Sequence, residues 1–244
     1  MRFNSLIALI TGANKGIGLS TAKQLLAMGY HVYLGARDES KGEIVIDQLN
    51  AMGFSEVSLL EVDVSDSASV DNAVKRFASL ENRLDVLVNN AAIGGEQPQQ
   101  TSSIQMNLLR EVLETNYFGA VRVTQAFLPL MFNSDNPRIV NVSSELGSLA
   151  FQSQTRSEYY AKNLMAYSTS KVVLNAFTIM LANELHNNAF KINCVSPGFT
   201  ATDLTGNSGP QTPDEAARII VKYATLSKDG PSGQFFGIDG QLPW

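Results

Sequence analysis

The chain is poor in the residues that staple, ligate or insert. It has one cysteine, Cys194, so no disulfide joins two parts of it, which fits a reducing compartment. Cys194 lies in the apolar run KINCVS and reads as a small buried hydrophobe rather than a nucleophile. The two histidines, His31 and His186, stand far apart without clustered partners, so no metal site is expected. The apolar run near the start, Leu6 to Ile10, is too short for a signal-peptide core or a membrane span. A cytoplasmic protein with no membrane partner is therefore expected. No basic run is present, and 18 basic against 23 acidic residues give a net charge of −5. Nucleic acid is not expected as a partner, because no phosphate-tracking surface is supplied. A small anionic ligand needs only a local basic site and stays open.

What is present suits one α/β domain over residues 1–244, with 44% apolar and 17% charged residues. Short apolar runs recur without apolar/polar alternation: LIALI (6–10), HVYLGA (31–36), VSLLEV (57–62), LDVLVN (84–89), RIVNVS (138–143), KINCVS (191–196) and GQFFGI (233–238). Such runs suit strands buried on both faces of a parallel sheet. Helical patterns separate them, among them GLSTAKQLLAMG and SASVDNAVKRFASL. The alternation predicts right-handed βαβ units and a doubly wound sheet of about seven strands with helices on both faces. Two less regular segments, 94–103 and 203–213, follow strands at the carboxyl edge of that sheet. Each either borders a ligand crevice or is a plain surface loop.

The first strand runs into TGANKGIG (11–18) and then a helical pattern. Gly12, Gly16 and Gly18 allow a tight turn and close approach of backbone to a ligand. The helix N-terminus behind them offers N–H groups to a pyrophosphate. The turn as a whole, Gly12 with Asn14, Lys15, Gly16, Ile17 and Gly18, is the candidate dinucleotide cradle. At the end of the second strand stands GARD (35–38), where an acidic residue would hold the ribose hydroxyls of NAD. Arg37 suits a 2′-phosphate instead, with Lys15 as a second positive charge, and together they favour NADP(H). The competing reading pairs Arg37 with Asp38 or Glu39 and leaves Lys15 solvated.

These motifs, followed by NNAA (89–92), ETNYFG, NVSS (141–144), YSTSK (167–171) and PGFTATD (197–203), occur in the order found in the short-chain dehydrogenases/reductases. The chain resembles that family over essentially its whole length, and GARD, VSPGFTATDLTG and GPSGQF resemble its carbonyl reductase branch most. The resemblance implies a Rossmann-type fold and an NADP(H)-dependent reduction of ketones or aldehydes. It implies that Tyr167 is the acid/base with Lys171 as its partner, that Ser144 orients the substrate, and that Asn116 supports a proton-relay water. It implies that Asp63 and Val64 contact adenine, that Asn90 lies beside the adenosine ribose, and that Pro197, Gly198 and Thr200 lie beside the nicotinamide carboxamide.

Tyr167 and Lys171, at i and i+4, share one helix face. A nearby ammonium and the positive charge of an oxidised nicotinamide ring favour tyrosinate and are expected together to lower the phenol's pKa. Two departures stand out: Ala92 replaces the family's usual glycine, and 22 residues separate Ser144 from Tyr167. Within that span and at its end, Leu146, Phe151, Tyr159, Tyr160 and Met165 are expected either to line an apolar substrate pocket or to form a packed insertion. Phe177, Met180 and Leu181 read as core or as a homo-oligomer interface. Oxidation of a secondary alcohol with NAD(P), and a non-catalytic NADP(H)-binding sensor or scaffold, are the alternative functions.

Overall fold

The computed structural model describes residues 5–154 and 164–244. Its strands are β1 (Ile7–Thr11), β2 (His31–Ala36), β3 (Val57–Glu61), β4 (Val86–Asn89), β5 (Arg138–Val142), β6 (Lys191–Val195), β7 (Gln234–Gly237) and β8 (Gly240–Gln241). Its helices are α1 (Gly16–Ala27), α2 (Glu39–Ala51), α3 (Ser67–Leu80), α4 (Met106–Leu113), α5 (Gly119–Met131), α6 (Leu149–Gln152), α7 (Met165–Glu184) and α8 (Pro213–Ala224). Among the described residues no helix is long and apolar enough to cross a membrane.

The strands form one sheet in the order β3-β2-β1-β4-β5-β6-β7-β8. All pairings are parallel except β7 with β8, which is antiparallel. The expected seven strands are all present; β8 is the addition, and at two residues it is too short to carry a periodic signal.

Every residue of β1 and β2 is buried, which explains their lack of alternation. Alternate residues serve opposite faces, as a pleated strand requires. Ala8, Ile10, Val32 and Leu34 pack with Leu25, Leu49 and Ile220 on one face. Ile7, Leu9, Tyr33 and Leu87 pack with Phe77, Phe127 and Leu181 on the other. Each large side chain so buried contributes roughly 1.5–3 kcal/mol relative to exposure. Helix starts follow local chemistry: Asp38 and Asp66 cap α2 and α3, and Thr212 with Glu215 forms a capping box on α8.

The chain order reverses between β1 and β4. To the left of β1 the sheet grows to β3; to the right it grows from β4 to β8. The carboxyl ends of β1 and β4 thus flank the topological switch point, where open α/β sheets bind their ligands.

Candidate active site

A cleft of about 640 Å³ opens at this point. Gly12, Asn14, Lys15, Gly16, Ile17 and Gly18 line it from the first turn, Arg37 from the end of β2, and Asp63 and Val64 from the end of β3. Asn90 lines it after β4, Ser144 after β5, Tyr167 and Lys171 on α7, and Pro197, Gly198 and Thr200 after β6. The glycine turn and the Tyr167–Lys171 pair, 149 positions apart at their nearest named residues (Gly18 and Tyr167), therefore share one wall-to-wall site.

The glycines are there for space. Gly12 has φ +63°, and a Cβ on it would lie 2.9 Å from the Ala91 Cα. A Cβ on Gly18 would lie 2.5 Å from the Gly12 carbonyl oxygen and 2.6 Å from Asn90 Nδ2. Asn90 stitches the turn shut by donating to the Thr11 and Gly12 carbonyls at 2.9 and 3.1 Å. No side chain caps α1 at Lys15, in contrast to α2, α3 and α8. Its first N–H groups face the cleft as anion donors, so the turn fits a dinucleotide pyrophosphate.

The charges divide differently from expectation. Asp38 is engaged by its own helix, accepting from Lys41 N and pairing with Lys41 Nζ at 3.0 Å. Arg37 is exposed, lines the cleft, and has no ion pair within 4.0 Å among the described residues. Lys15 instead donates to Asp203 Oδ2 at 2.6 Å, from the 203–213 segment across the cleft. Its charge is thus met by an exposed carboxylate rather than left to solvent alone.

Residues after β5 alternate as a strand does. Ser143 points inward and donates to Asn175 Oδ1 at 2.6 Å; Ser144 lines the cleft with Tyr167 and accepts from Leu146 N at 3.2 Å. Lys171 Nζ lies 5.5 Å from the Tyr167 ring centre and donates to the Val142 carbonyl at 2.8 Å. Burial pushes the Lys171 ammonium down to about 8. Burial also pushes the Tyr167 phenol up to about 12, more than the Ser144 hydroxyl draws it down. The expected lowering is therefore reversed in the protein by itself: loss of water outweighs a neighbour that is itself only weakly held charged. Cys194, beneath this pair, is buried, shares a hydrogen bond with Thr178 Oγ1 at 2.9 Å, and is pushed up to about 12 by burial, as suits an inert thiol.

Asn116 does not line the cleft; its neighbour Thr115 does. Residues Glu114–Phe118 form one π-helical turn between α4 and α5, and the widened turn rolls Asn116 inward to 1% exposure. Its Oδ1 accepts from Ile93 N at 2.8 Å, while its Nδ2 donates to the Ile93 carbonyl at 2.9 Å and to Ser170 Oγ at 3.0 Å.

Of the expected substrate contacts, Leu146, Phe151 and Met165 are not among the residues lining the cleft, and Tyr159 and Tyr160 lie outside the described residues. Leu146 is buried beneath the short 145–147 turn, which is the packed alternative. The cleft is lined instead by Gly94 and Leu204 from the other two irregular segments, with Ile93 just before the first of them. Thr202, Ser196 and Ala92 also line the cleft. Thr202 was signalled only by its place in PGFTATD, and its Cγ2 stands 3.6 Å from where a Gly16 Cβ would be. Phe177 and Leu181 pack on the core, whereas Met180 is exposed.

Comparison with known proteins agrees with this geometry. The family model described as short chain dehydrogenase matches residues 6–213. The chain is 33% identical to a (+)-neomenthol dehydrogenase of Capsicum annuum, over 94% of each chain. The solved structure of salutaridine reductase from Papaver somniferum superposes with a TM-score of 0.84 at 30% identity, over 96% of this chain and 99% of that one. An NADPH-bound carbonyl reductase from chicken fatty liver superposes with a TM-score of 0.84 at 26% identity, over 98% and 99%. The family model spans most of the chain and the solved relatives superpose over nearly all of it, and the chain belongs to the short chain dehydrogenase family of nicotinamide-dependent oxidoreductases.

Proposed function

We propose that this protein is an NADPH-dependent reductase of ketone or aldehyde carbonyls, acting in the cytoplasm. The observation that carries the reading is that Ser144, Tyr167 and buried Lys171 line the same cleft as the uncapped N-terminus of α1. When bound, the dihydronicotinamide supplies the hydride; the protein supplies position and a proton. Ser144 holds the carbonyl oxygen and shares the charge that develops on it. Tyr167 donates its phenolic proton to that oxygen, a role for which a phenol held protonated by burial is ready. Lys171 holds the nicotinamide ribose hydroxyls and steadies the tyrosinate left behind. Asn116, with its amide engaged by Ile93 and Ser170, holds the frame for a relay water rather than contacting it.

Asp63, Val64 and Asn90 bound the adenosine half, and Pro197, Gly198 and Thr200 the nicotinamide half. Arg37 selects the 2′-phosphate, and the NADPH named in the chicken structure agrees with it. The pepper relative is named a dehydrogenase, which favours as a second reading the same chemistry run in reverse on a secondary alcohol. The test is cofactor oxidation across aromatic, aliphatic and dicarbonyl substrates, with NADPH and NADH, for the wild type and Tyr167→Phe. NADPH-dependent turnover is expected, with at least a hundredfold loss in Tyr167→Phe and unchanged NADPH binding. Full turnover by Tyr167→Phe would sink the reading, and a preference for NAD with alcohols would turn it to the second.

A further inference from the structure

The helix that carries Tyr167 starts without a cap of its own. α7 begins at Met165, and Leu164 before it has no side-chain acceptor. The first N–H groups of a helix have no partner within it. Met165, Ala166 and Tyr167 all find theirs on one residue, Gln99. Its backbone carbonyl accepts from Met165 N at 3.4 Å. Its side-chain Oε1 accepts from Ala166 N at 3.0 Å and from Tyr167 N at 3.3 Å. The other end of the same amide donates to the Gly94 carbonyl at 2.7 Å and to the Glu96 carbonyl at 3.2 Å. Gln99 is 0% exposed, and a short parallel bridge joins it to Leu164.

A fully buried amide is costly unless its polar atoms are bonded, and here each of them is. The bonds join two parts of the site that the chain itself keeps 67 residues apart. Gly94 and Tyr167 both line the cleft, one from the segment after β4 and the other from α7.

We propose that Gln99 is a positioning residue for proton transfer: it caps the catalytic helix from outside and sets the depth of Tyr167 against the cleft wall. The proposal rests on Tyr167 being the proton donor. A donor must reach within about 3 Å of its target, and displacements near 1 Å cost about a hundredfold in rate. Freeing the first turn of α7 therefore acts on turnover. Cofactor affinity, set largely by the glycine turn, stays.

The experiment compares Gln99→Leu, Gln99→Glu and Tyr167→Phe with the wild type. It measures kcat and KM for the best carbonyl of the substrate panel, NADPH affinity by fluorescence titration, and the pH profile of alcohol oxidation. Gln99→Leu is expected to lower kcat ten- to a hundredfold while the NADPH Kd changes less than twofold. Gln99→Glu keeps the acceptor toward Ala166 and Tyr167; buried against the Gly94 and Glu96 carbonyls, its carboxyl is expected to stay protonated near neutrality and to donate as the amide does, holding kcat to within threefold of the wild type. Once that carboxyl ionises at higher pH it is repelled by the two carbonyls, the first turn of α7 is freed, and turnover is expected to fall relative to the wild type. A Gln99→Leu enzyme with wild-type kcat, or a Gln99→Glu enzyme as impaired near neutrality as Gln99→Leu, overturns the proposal. Should Gln99→Leu not fold, Gln99→Glu decides alone: an oxidation rate that falls relative to the wild type as pH rises, with cofactor affinity unchanged, supports the coupling, and a pH profile identical to the wild type overturns it. Full activity in Tyr167→Phe removes the proton-donor reading itself, whereas an inactive Tyr167→Phe beside a fully active Gln99→Leu removes only the role of Gln99.

Discussion

Lys171 holds its charge where charge is expensive. Its ammonium has one carbonyl acceptor, that of Val142, and burial lowers its pKa from 10.5 to about 8. Below pH 8 the folded and unfolded chains both keep the proton, so the cost of burial is constant. Between pH 8 and 10.5 the unfolded chain holds a proton that the folded one has lost, and stability rises with pH on that account. Tyr167 and Cys194, both raised to about 12, act in the opposite sense at higher pH; the Tyr167 contribution cancels in a comparison with Lys171→Met, whereas Cys194 feels the Lys171 charge, so both proteins compared carry Cys194→Ala. The protein with Lys171 is expected to gain on Lys171→Met, on the order of a few kcal/mol, as pH rises from 8 to 10.5, with no trend below 8. Urea unfolding of both proteins at several pH values measures it; a difference that stays flat through this range shows that the ammonium is not desolvated. The same residues show what a sequence conceals. The spacing of Tyr167 and Lys171 was legible, but the direction of the phenol's shift was not, because it depends on how much water the fold removes.

At the scale of elements, the strands were readable because a strand buried on both faces has no polar side to show, as in β1 and β2. The break between α4 and α5 was not. LREVLETNYFGAVRVTQAFLPLM has an unbroken helical period, and only the asparagine within it hinted at a reason for the π turn. Gln99 was equally hidden, since a glutamine in a polar segment carries no mark of the helix it will cap. The glycine turn was legible, and its prediction follows from clearance. Gly18→Ala places a methyl 2.5 Å from a backbone carbonyl and 2.6 Å from the Asn90 amide, neither of which is a flexible chain end. The turn must open to admit it, breaking the bonds from Asn90 to Thr11 and Gly12. NADPH affinity is expected to fall at least tenfold, and the melting temperature by several degrees, for a loss of about 1–3 kcal/mol. Fluorescence titration and calorimetry read the two effects, and an alanine variant that binds NADPH as the wild type does contradicts the cradle.

For the whole molecule, the cleft is where distant parts of the chain meet, and no local pattern records which of them touch. Lys15 and Asp203 are 188 positions apart, yet their side chains join at 2.6 Å across the mouth of the site. Both are about two-thirds exposed, at 65% and 62%, so water screens the pair and it adds little to stability. Its consequence is for the cofactor. Asp203 neutralises the one lysine of the phosphate turn, and an incoming dinucleotide competes with it for that charge. Asp203→Asn is therefore expected to leave the melting temperature within about 2 °C and to tighten NADPH binding several-fold at low ionic strength. The gain is expected to shrink as salt is raised, since an exposed charge is screened over about 10 Å at 0.1 M and about 3 Å at 1 M. Titrating NADPH into both proteins across that range separates this from a loop effect. A tightening that persists at 1 M salt belongs to the conformation of residues 203–213, and weaker binding at low salt means that the pair holds the cleft in shape for the cofactor rather than against it.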